Sequence, residues 1–82
     1  MNTFILLLSC SDQKGIVAKI TDQLLQVGAN ILDLDQHCSE DDPPQFFMRL
    51  AFVMDANHFE SLNQKIKLLM DNLSAEYSLI NA

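Results

Sequence analysis

The sequence predicts an α+β fold, a four-stranded antiparallel sheet with two helices on one of its faces. Three observations favour this fold: short apolar runs typical of strands, two longer segments with helical periodicity, and the order in which they alternate. With 82 residues the chain is long enough for one domain, which we expect to span residues 1–82. A domain of this size buries a modest share of its surface, so its stability margin is thin without a partner.

The first strand and the first helix have the simplest patterns. Thr3–Ser9 is apolar on both faces, which predicts a strand in the middle of a sheet. Gly15–Val27 carries apolar residues at helical spacing and polar residues on the opposite side. Ser11 or Asp12 is expected to cap the start of this helix, and Gly28 suits the left-handed position after its last turn.

A second and a third strand follow, separated by an acidic turn at residues 40–44 that contains both prolines. Ala29–Ser39 is predicted as an edge strand, because one of its faces is mixed in polarity. Simple alternation places Leu32, Leu34, Gln36 and Cys38 on one face, and Ile31, Asp33, Asp35 and His37 on the other. Gln45–Met54 is apolar on both faces apart from Arg49, so it is a second central strand. Arg49 is expected to form a cross-strand ion pair with Asp35, and the alternative is that it binds a carboxylate of another chain or domain.

The last part of the chain predicts a helix and a short final strand. Asn57 and Glu60 resemble a capping box, and apolar residues then recur at helical spacing as far as Leu73. Glu76–Ile80 is the final strand. The order β-α-β-β-α-β is that of the ferredoxin-like fold, in which strands one and three lie in the middle of the sheet. One face of the sheet has no helices, and its apolar residues predict contact with a partner.

The charge of the chain excludes several classes of function. The net charge is −6, and the five basic residues do not cluster. Nucleic-acid binding depends on neutralising phosphates, so no nucleic-acid partner is expected, and an anionic membrane surface is disfavoured for the same reason. The longest early apolar run, Phe4–Leu8, is too short to span a bilayer, so no membrane partner is expected.

The sequence predicts no metal site, no cofactor and no catalytic residue. Cys10 and Cys38 form no CxxC pair, and we interpret them as reduced thiols of a cytoplasmic protein. Their spacing relative to His37 is not that of a zinc site. The chain has no Gly-rich phosphate loop and no nucleophile elbow, and its acidic pairs lie in turns or on strand faces.

The segment between the first strand and the first helix, Ser11–Gly15, is the candidate binding site and is called the elbow below. Free backbone N–H groups and the helix dipole at this junction favour an anion such as a carboxylate. Gly15 has no Cβ where a ligand or a neighbouring chain would approach. Asp12 either contacts an ammonium group or caps the helix, and the residues alone leave both alternatives open.

The elbow and the start of the second strand together resemble the ACT domain family. The residues that carry the resemblance are Asp12-Gln13-Lys14-Gly15-Ile16-Val17 and Gly28-Ala29-Asn30-Ile31. ACT domains are small ferredoxin-like modules that bind amino acids and regulate metabolic enzymes, commonly with the elbow of one copy facing the second strand of another. The resemblance therefore implies a homodimer or higher homo-oligomer through the sheet. It implies ligand binding by Asp12, Gln13, Lys14, Gly15, Ile16, Asn30 and Ile31, although Ile16 also suits core packing and Asn30 a backbone contact.

Two stretches, Cys10–Thr21 and Phe46–Arg49, resemble the N-terminal region of the formyltetrahydrofolate deformylases. Those enzymes hydrolyse 10-formyltetrahydrofolate to tetrahydrofolate and formate, which supplies purine synthesis, and they do so in a separate, larger domain. The resemblance implies a regulatory domain that has no catalytic activity of its own and senses an amino acid, with glycine and methionine the first candidates. The alternative is a free-standing ACT protein or a structural dimerisation module that binds no small ligand.

Overall fold

The computed structural model describes all 82 residues and has the predicted order of elements. The strands and helices in chain order are β1 (Asn2–Ser11), α1 (Ile16–Gln26), β2 (Asn30–Cys38), β3 (Gln45–Met54), α2 (Phe59–Leu73) and β4 (Glu76–Asn81). A single 3-10 turn, Ala56–His58, leads into α2. The α+β class with one antiparallel sheet and two helices is confirmed. The bounds of β3 agree with the prediction, and the other elements differ from it by one or two residues at their ends.

The strands lie in the order β2-β3-β1-β4, and each neighbouring pair is antiparallel. β1 and β3 are the central strands, as predicted, and they pair along their whole lengths, from Asn2 opposite Met54 to Ser11 opposite Gln45. β2 is an edge strand that pairs only with β3, and β4 is the other edge strand and pairs only with β1. The outer backbone edge of β2 is therefore free to pair with another chain.

One face of the two central strands forms the core with the helices. The buried residues on this face are Phe4, Leu6, Leu8, Cys10, Phe46, Met48, Leu50, Phe52 and Met54. They cluster with buried residues at helical spacing on α1 and α2, such as Ile20 and Ile66. The ring of Phe4 stacks on Phe52 and Phe59, with centroid distances of 5.8 and 5.5 Å. No buried residue is polar or charged, so burial of apolar surface holds the layers together.

The helices begin and end differently from the sequence prediction. Gly15 is the N-cap of α1, with a φ of 82°, and no side chain accepts a hydrogen bond from the first turn, so the predicted cap by Ser11 or Asp12 is wrong. Gly28 follows α1 with a φ of 71°, as predicted. The predicted capping box at the start of α2 is also wrong, because Asp55 Oδ1 instead accepts from the N–H of Asn57 at 3.0 Å. Neither helix is long and apolar enough to cross a membrane.

A bulge in β2 changes which residues share a face. Ile31 lies opposite Phe52 and Asp33 lies opposite Ala51, so Leu32 is an extra residue in the ladder. Directly opposite residues point to the same side of a sheet. Ile31 therefore lies on the side of Phe52 and the helices, and Asp33 lies on the other side. The prediction that Ile31 shares a face with Asp33 is wrong, because simple alternation does not anticipate an inserted residue.

The Ile66→Val substitution is expected to lower the free energy of unfolding by about 1 kcal/mol, because it removes one methylene from a fully buried site. Leu68→Ala is the control, since Leu68 is 67% exposed on the same helix and its truncation is expected to change stability by less than about 0.5 kcal/mol. Urea denaturation at one protein concentration measures both variants. Equal losses in the two variants would contradict the described core.

Candidate functional site

The elbow connects the end of a central strand to the start of α1. Gly15 adopts a positive φ, and the N–H of Lys19 donates to its carbonyl oxygen at 3.0 Å. The first-turn N–H groups of a helix have no partner within the helix, and no side chain caps them here. A Cβ added at Gly15 would meet only Lys19 Cε, at 4.0 Å. The elbow is therefore open, carries unused N–H donors and has a cationic side chain beside it.

Backbone and side-chain hydrogen bonds tie the elbow to both neighbouring parts of the fold. The N–H of Asp12 donates to the carbonyl oxygen of Pro44 at 3.0 Å, which attaches the elbow to the β2–β3 hairpin. Gln13 Nε2 lies 3.5 Å from the carbonyl oxygen of Leu73, at the end of α2. The elbow is thus held between the hairpin and α2, although its residues are exposed.

The carboxylate of Asp12 lies close to both cysteines. The pKa of the Cys38 thiol is raised by local loss of hydration and by the nearby Asp12 carboxylate, which disfavours the thiolate. The pKa of the buried Cys10 thiol is raised mainly by burial, with a smaller effect of the Asp12 charge. Both thiols stay protonated at neutral pH, which disfavours them as nucleophiles and as metal ligands. Asp12 therefore points toward the end of β2.

The other two predicted site residues lie at the opposite end of the sheet. Ser11 is opposite Gln45, whereas Asn30 is opposite Val53. Eight residues of β3 separate Gln45 from Val53, which corresponds to about 27 Å along the strand. One copy of the chain therefore groups Asp12–Ile16 at one end and keeps Asn30 and Ile31 apart from them.

The side chain of Ile16 is in the core. It is 2% exposed and belongs to the cluster beneath the helices, which agrees with its interpretation as a packing residue. A ligand at the elbow would reach its backbone N–H rather than its side chain. The sequence left these two roles open, and burial decides between them.

A groove between α1 and β2 contains the start of β2. It has a volume of about 580 Å³ and is lined by Ala18, Thr21, Asp22, Leu24, Leu25, Ala29, Asn30 and Ile31. The residues of α1 in this groove were not predicted from the sequence. Leu25 is the residue that could have indicated this groove, because it is apolar but lies outside the core-facing stripe of α1. It is 74% exposed.

The face of the sheet away from the helices contains a second, shallow concavity of about 560 Å³ around Leu7, Phe47 and Arg49. Arg49 lies directly opposite Asp35, as predicted. Its guanidinium Nη1, however, forms an ion pair with Asp33 Oδ2 at 3.6 Å, so the predicted pairing with Asp35 is wrong. Asp33 lies two residues from Asp35 on the same face, within reach of the long arginine side chain.

The structure contains no group of three or more His, Cys, Asp or Glu side chains that could hold a metal ion. Cys10 and Cys38 lie on either side of Phe46 in the ladder. Two strand spacings separate them by about 10 Å, which exceeds the reach of a disulfide. His58 is exposed at the start of α2.

The chain belongs to the ACT domain family, because the sequence model of that family matches residues 4–67. Among curated proteins, the formyltetrahydrofolate deformylase of Bacillus subtilis is 40% identical over 47 residues, which cover 57% of this chain and 16% of that protein. The chain thus spans about a sixth of the length of the deformylases it matches in sequence. Both resemblances seen in the sequence, to ACT domains and to these deformylases, are confirmed.

Two solved structures show how widely the fold is shared. A formyltetrahydrofolate deformylase from Burkholderia mallei superposes with a TM-score of 0.90 at 18% identity, over 99% of this chain and 28% of that one. An ACT domain protein from Streptococcus pneumoniae superposes with a TM-score of 0.80 at 22% identity, over 99% of this chain and 90% of that one. At these identities the likeness shows the fold alone, which occurs both within a longer chain and in one of nearly the same length.

The Asp12→Asn substitution is expected to lower the pKa of the Cys38 thiol, because it removes a negative charge that favours the protonated thiol. At a pH below that pKa, the larger thiolate fraction reacts faster with iodoacetamide. Mass spectrometry of the Cys38 peptide across a pH series measures the rate. Asp41→Asn in the hairpin makes the same charge change and is the control. Identical pH profiles in the two variants would contradict the placement of Asp12 beside Cys38.

Proposed function

We propose that the chain is the amino-acid-sensing regulatory domain of a formyltetrahydrofolate deformylase in the cytoplasm. In that role it controls the hydrolysis of 10-formyltetrahydrofolate to tetrahydrofolate and formate, which a separate catalytic domain performs. The family match and the sequence identity to deformylases support this assignment. The observation that carries the ligand-binding part is the elbow, where open backbone donors meet a glycine at positive φ.

A second copy completes the proposed site. The elbow and the Asn30–Ile31 segment lie at opposite ends of one sheet, so one copy cannot supply both. β2 has a free outer edge, and antiparallel pairing with β2 of a second copy would place the Cys38 end beside the Asn30 end of the other. The elbow lies at the Cys38 end of the sheet, because the Asp12 N–H donates to Pro44 in the β2–β3 hairpin and the Asp12 carboxylate is near enough to raise the pKa of Cys38. A homodimer or higher homo-oligomer is therefore part of the proposal.

The residues at such a junction suit both charged groups of an amino acid. The N–H groups after Gly15 would bind the carboxylate, aided by the positive end of the helix dipole and by Lys14. Asp12 would contact the ammonium group, and the amide of Asn30 from the second copy would bond one polar end. Ile31 and the groove beside it would receive the ligand side chain. Glycine and methionine are the first ligands to test.

Regulation follows from a difference in affinity between arrangements of the copies. A ligand held between two chains favours the arrangement in which its site is complete. The free energy by which the ligand shifts the equilibrium between the arrangements then equals the difference between its binding free energies for them. This coupling free energy is typically about 1–3 kcal/mol in allosteric proteins. Contacts from both chains to one small molecule provide that difference.

The Gly15→Leu substitution is expected to abolish amino-acid binding, because it adds bulk at the N-cap and disfavours the positive φ that opens the elbow. Gln64→Leu is the control, since it introduces the same side chain at an exposed position of α2 that belongs to neither part of the proposed site. Titration calorimetry with glycine, methionine and the other standard amino acids measures binding, and circular dichroism checks the fold. Absence of heat with every amino acid, for a folded wild-type oligomer, would overturn the ligand proposal.

A second candidate function is a structural association module, or a free-standing ACT protein, that binds no small ligand. The apolar face of the sheet favours it, because that face needs a protein partner whether or not a ligand binds. Titration calorimetry distinguishes this function from the first proposal, because only the first predicts heat on adding an amino acid. A folded oligomer that gives no calorimetric heat, and whose association is unchanged by Gly15→Leu, would support it.

The isolated chain is expected to show no deformylase turnover, because it spans only about a sixth of the deformylase it matches and the proposed role assigns catalysis to a separate domain. The assay is formate release from 10-formyltetrahydrofolate at a chain concentration far above that used for a complete deformylase, which is the positive control. Turnover above the rate in buffer, retained after repeated purification, would contradict a purely regulatory role.

A further inference from the structure

The sheet face opposite the helices is the largest surface that the proposed ligand site does not use. Its apolar residues lie mainly on the two central strands and are called the central stripe below: Ile5, Leu7, Phe47, Ala51, Val53 and Ile80. Leu7, Phe47 and Ile80 are 42%, 44% and 47% exposed, so the central stripe is open to solvent. A contiguous apolar surface of this kind marks an interaction site.

Acidic side chains border the central stripe on both sides. Asp33 and Asp35 lie on β2 at one edge, and Glu76 lies on β4 at the other. Arg49 is on a central strand, but its guanidinium pairs with Asp33 and therefore lies toward the β2 edge. After this pair is counted, one carboxylate without an ion-pair partner remains at each edge, Asp35 at one and Glu76 at the other.

We propose that an amphipathic helix of another protein or domain docks along the central stripe, with lysine or arginine residues on both sides of its own apolar residues. The proposal does not depend on the ligand site, because the elbow and the outer edge of β2 lie outside this face. Pairing of two copies through β2 would leave the central stripe of each copy open.

The backbone of the sheet favours a helix as the occupant. The N–H and C=O groups of β1 and β3 are used in the ladders on both sides of each strand. An occupant of the face must therefore satisfy its own backbone hydrogen bonds, which a helix does internally. An extended peptide instead requires an open sheet edge. The helices of a second copy cannot serve, because their apolar residues are already buried in their own core.

The dimensions of the face suit one helix. The central stripe runs along β3 from Phe47 to Val53, which corresponds to about 20 Å, or about 14 residues of helix. The two edge strands are three strand spacings apart, about 14 Å, whereas a helix with its side chains is about 10–12 Å across. A helix therefore fits between Asp35 and Glu76, and the flexible stems of lysine or arginine reach both carboxylates.

The composition of the face also favours a protein partner. Phe47 and Arg49 are neighbours on one side of β3, and aromatic residues and arginine are enriched at the centres of protein interfaces. His37 stacks on Phe47, with ring centroids 6.3 Å apart, and extends the aromatic surface. The shallow concavity of about 560 Å³ around Leu7 would receive a large apolar side chain of the helix. The carboxylates at the two edges select basic flanks on that helix and disfavour acidic ones.

The first test uses two designed peptides of about 14 residues, one of leucine and lysine and one of leucine and glutamate, each with a single apolar stripe. Fluorescence anisotropy is expected to show that the chain binds the lysine peptide at least about tenfold more tightly than the glutamate peptide. Leu7→Lys is expected to weaken binding of the lysine peptide at least about tenfold. Leu68→Lys is the matched control, because it adds the same charge at an exposed position of α2.

Two results of this first test contradict the proposal. Equal losses of affinity in Leu7→Lys and Leu68→Lys overturn it, and so does equal binding of the two peptides. Circular dichroism checks that both variants are folded.

The second test separates the two edges of the face from the net charge of the chain. The double variant Asp35→Lys with Glu76→Lys is expected to bind the glutamate peptide more tightly than the lysine peptide, because both borders of the central stripe become basic. Glu60→Lys with Asp71→Lys makes the same change in net charge at exposed positions of α2, and it is expected to keep the preference for lysine. The same reversal in both double variants overturns the proposal.

The third test needs no substitution in the chain that binds. When the lysine peptide is added, the methyl NMR signals of Ile5, Leu7 and Ile80 are expected to shift, whereas those of Leu25 and Leu68 on the helices stay in place. Shifts centred on the helices overturn the proposal. Sedimentation equilibrium identifies the competing occupant, since a wild-type oligomer that does not bind the peptide and that Leu7→Lys dissociates would assign the central stripe to a second copy.

Discussion

The alternation of side chains along β1 and β3 is the constraint on which the rest of the structure depends. Both central strands are apolar on both faces, but the chain has only two helices, and both lie on one face. Burial against those helices stabilises the fold, since the core contains no polar or charged residue. The same alternation necessarily exposes Leu7 and Phe47 on the other face. The buried core and the exposed apolar surface therefore have one origin, a sheet that is half covered.

The elbow shows how a helix start can be left available for a ligand. Most helices satisfy their first N–H groups with a side-chain cap, whereas α1 begins at a glycine in the left-handed region, which has no side chain that could accept these hydrogen bonds. Asp12, the nearest candidate for a cap, is turned toward the end of β2, where it acts on the Cys38 thiol. The hydrogen bond from the Asp12 N–H to the Pro44 carbonyl oxygen holds the elbow in place. The first-turn N–H groups of α1 are therefore accessible to a ligand although the elbow is attached to the rest of the fold.

Distance within the sheet separates the predicted ligand-binding residues, so the proposed function requires more than one copy. The predicted ligand-binding residues divide into a group at the elbow and a pair at the start of β2, about 27 Å apart along the strands. A rigid antiparallel sheet cannot bring its two ends together, but antiparallel pairing of two copies places unlike ends side by side. In the proposed function, the polar chemistry of the elbow and the free edge of β2 thus act together, and ligand binding is coupled to association.

The sequence by itself determined the order of the elements, the two central strands and the position of the elbow. These features follow from local periods of two and 3.6 residues and from glycines that end or begin helices, so neighbouring residues suffice to predict them. Tertiary structure decided the rest. The bulge at Leu32 moved Ile31 to the helix side, and Arg49 paired with Asp33 rather than Asp35. Both outcomes depend on how β2 fits against β3, and a strand's own pattern does not contain the register that its neighbour imposes.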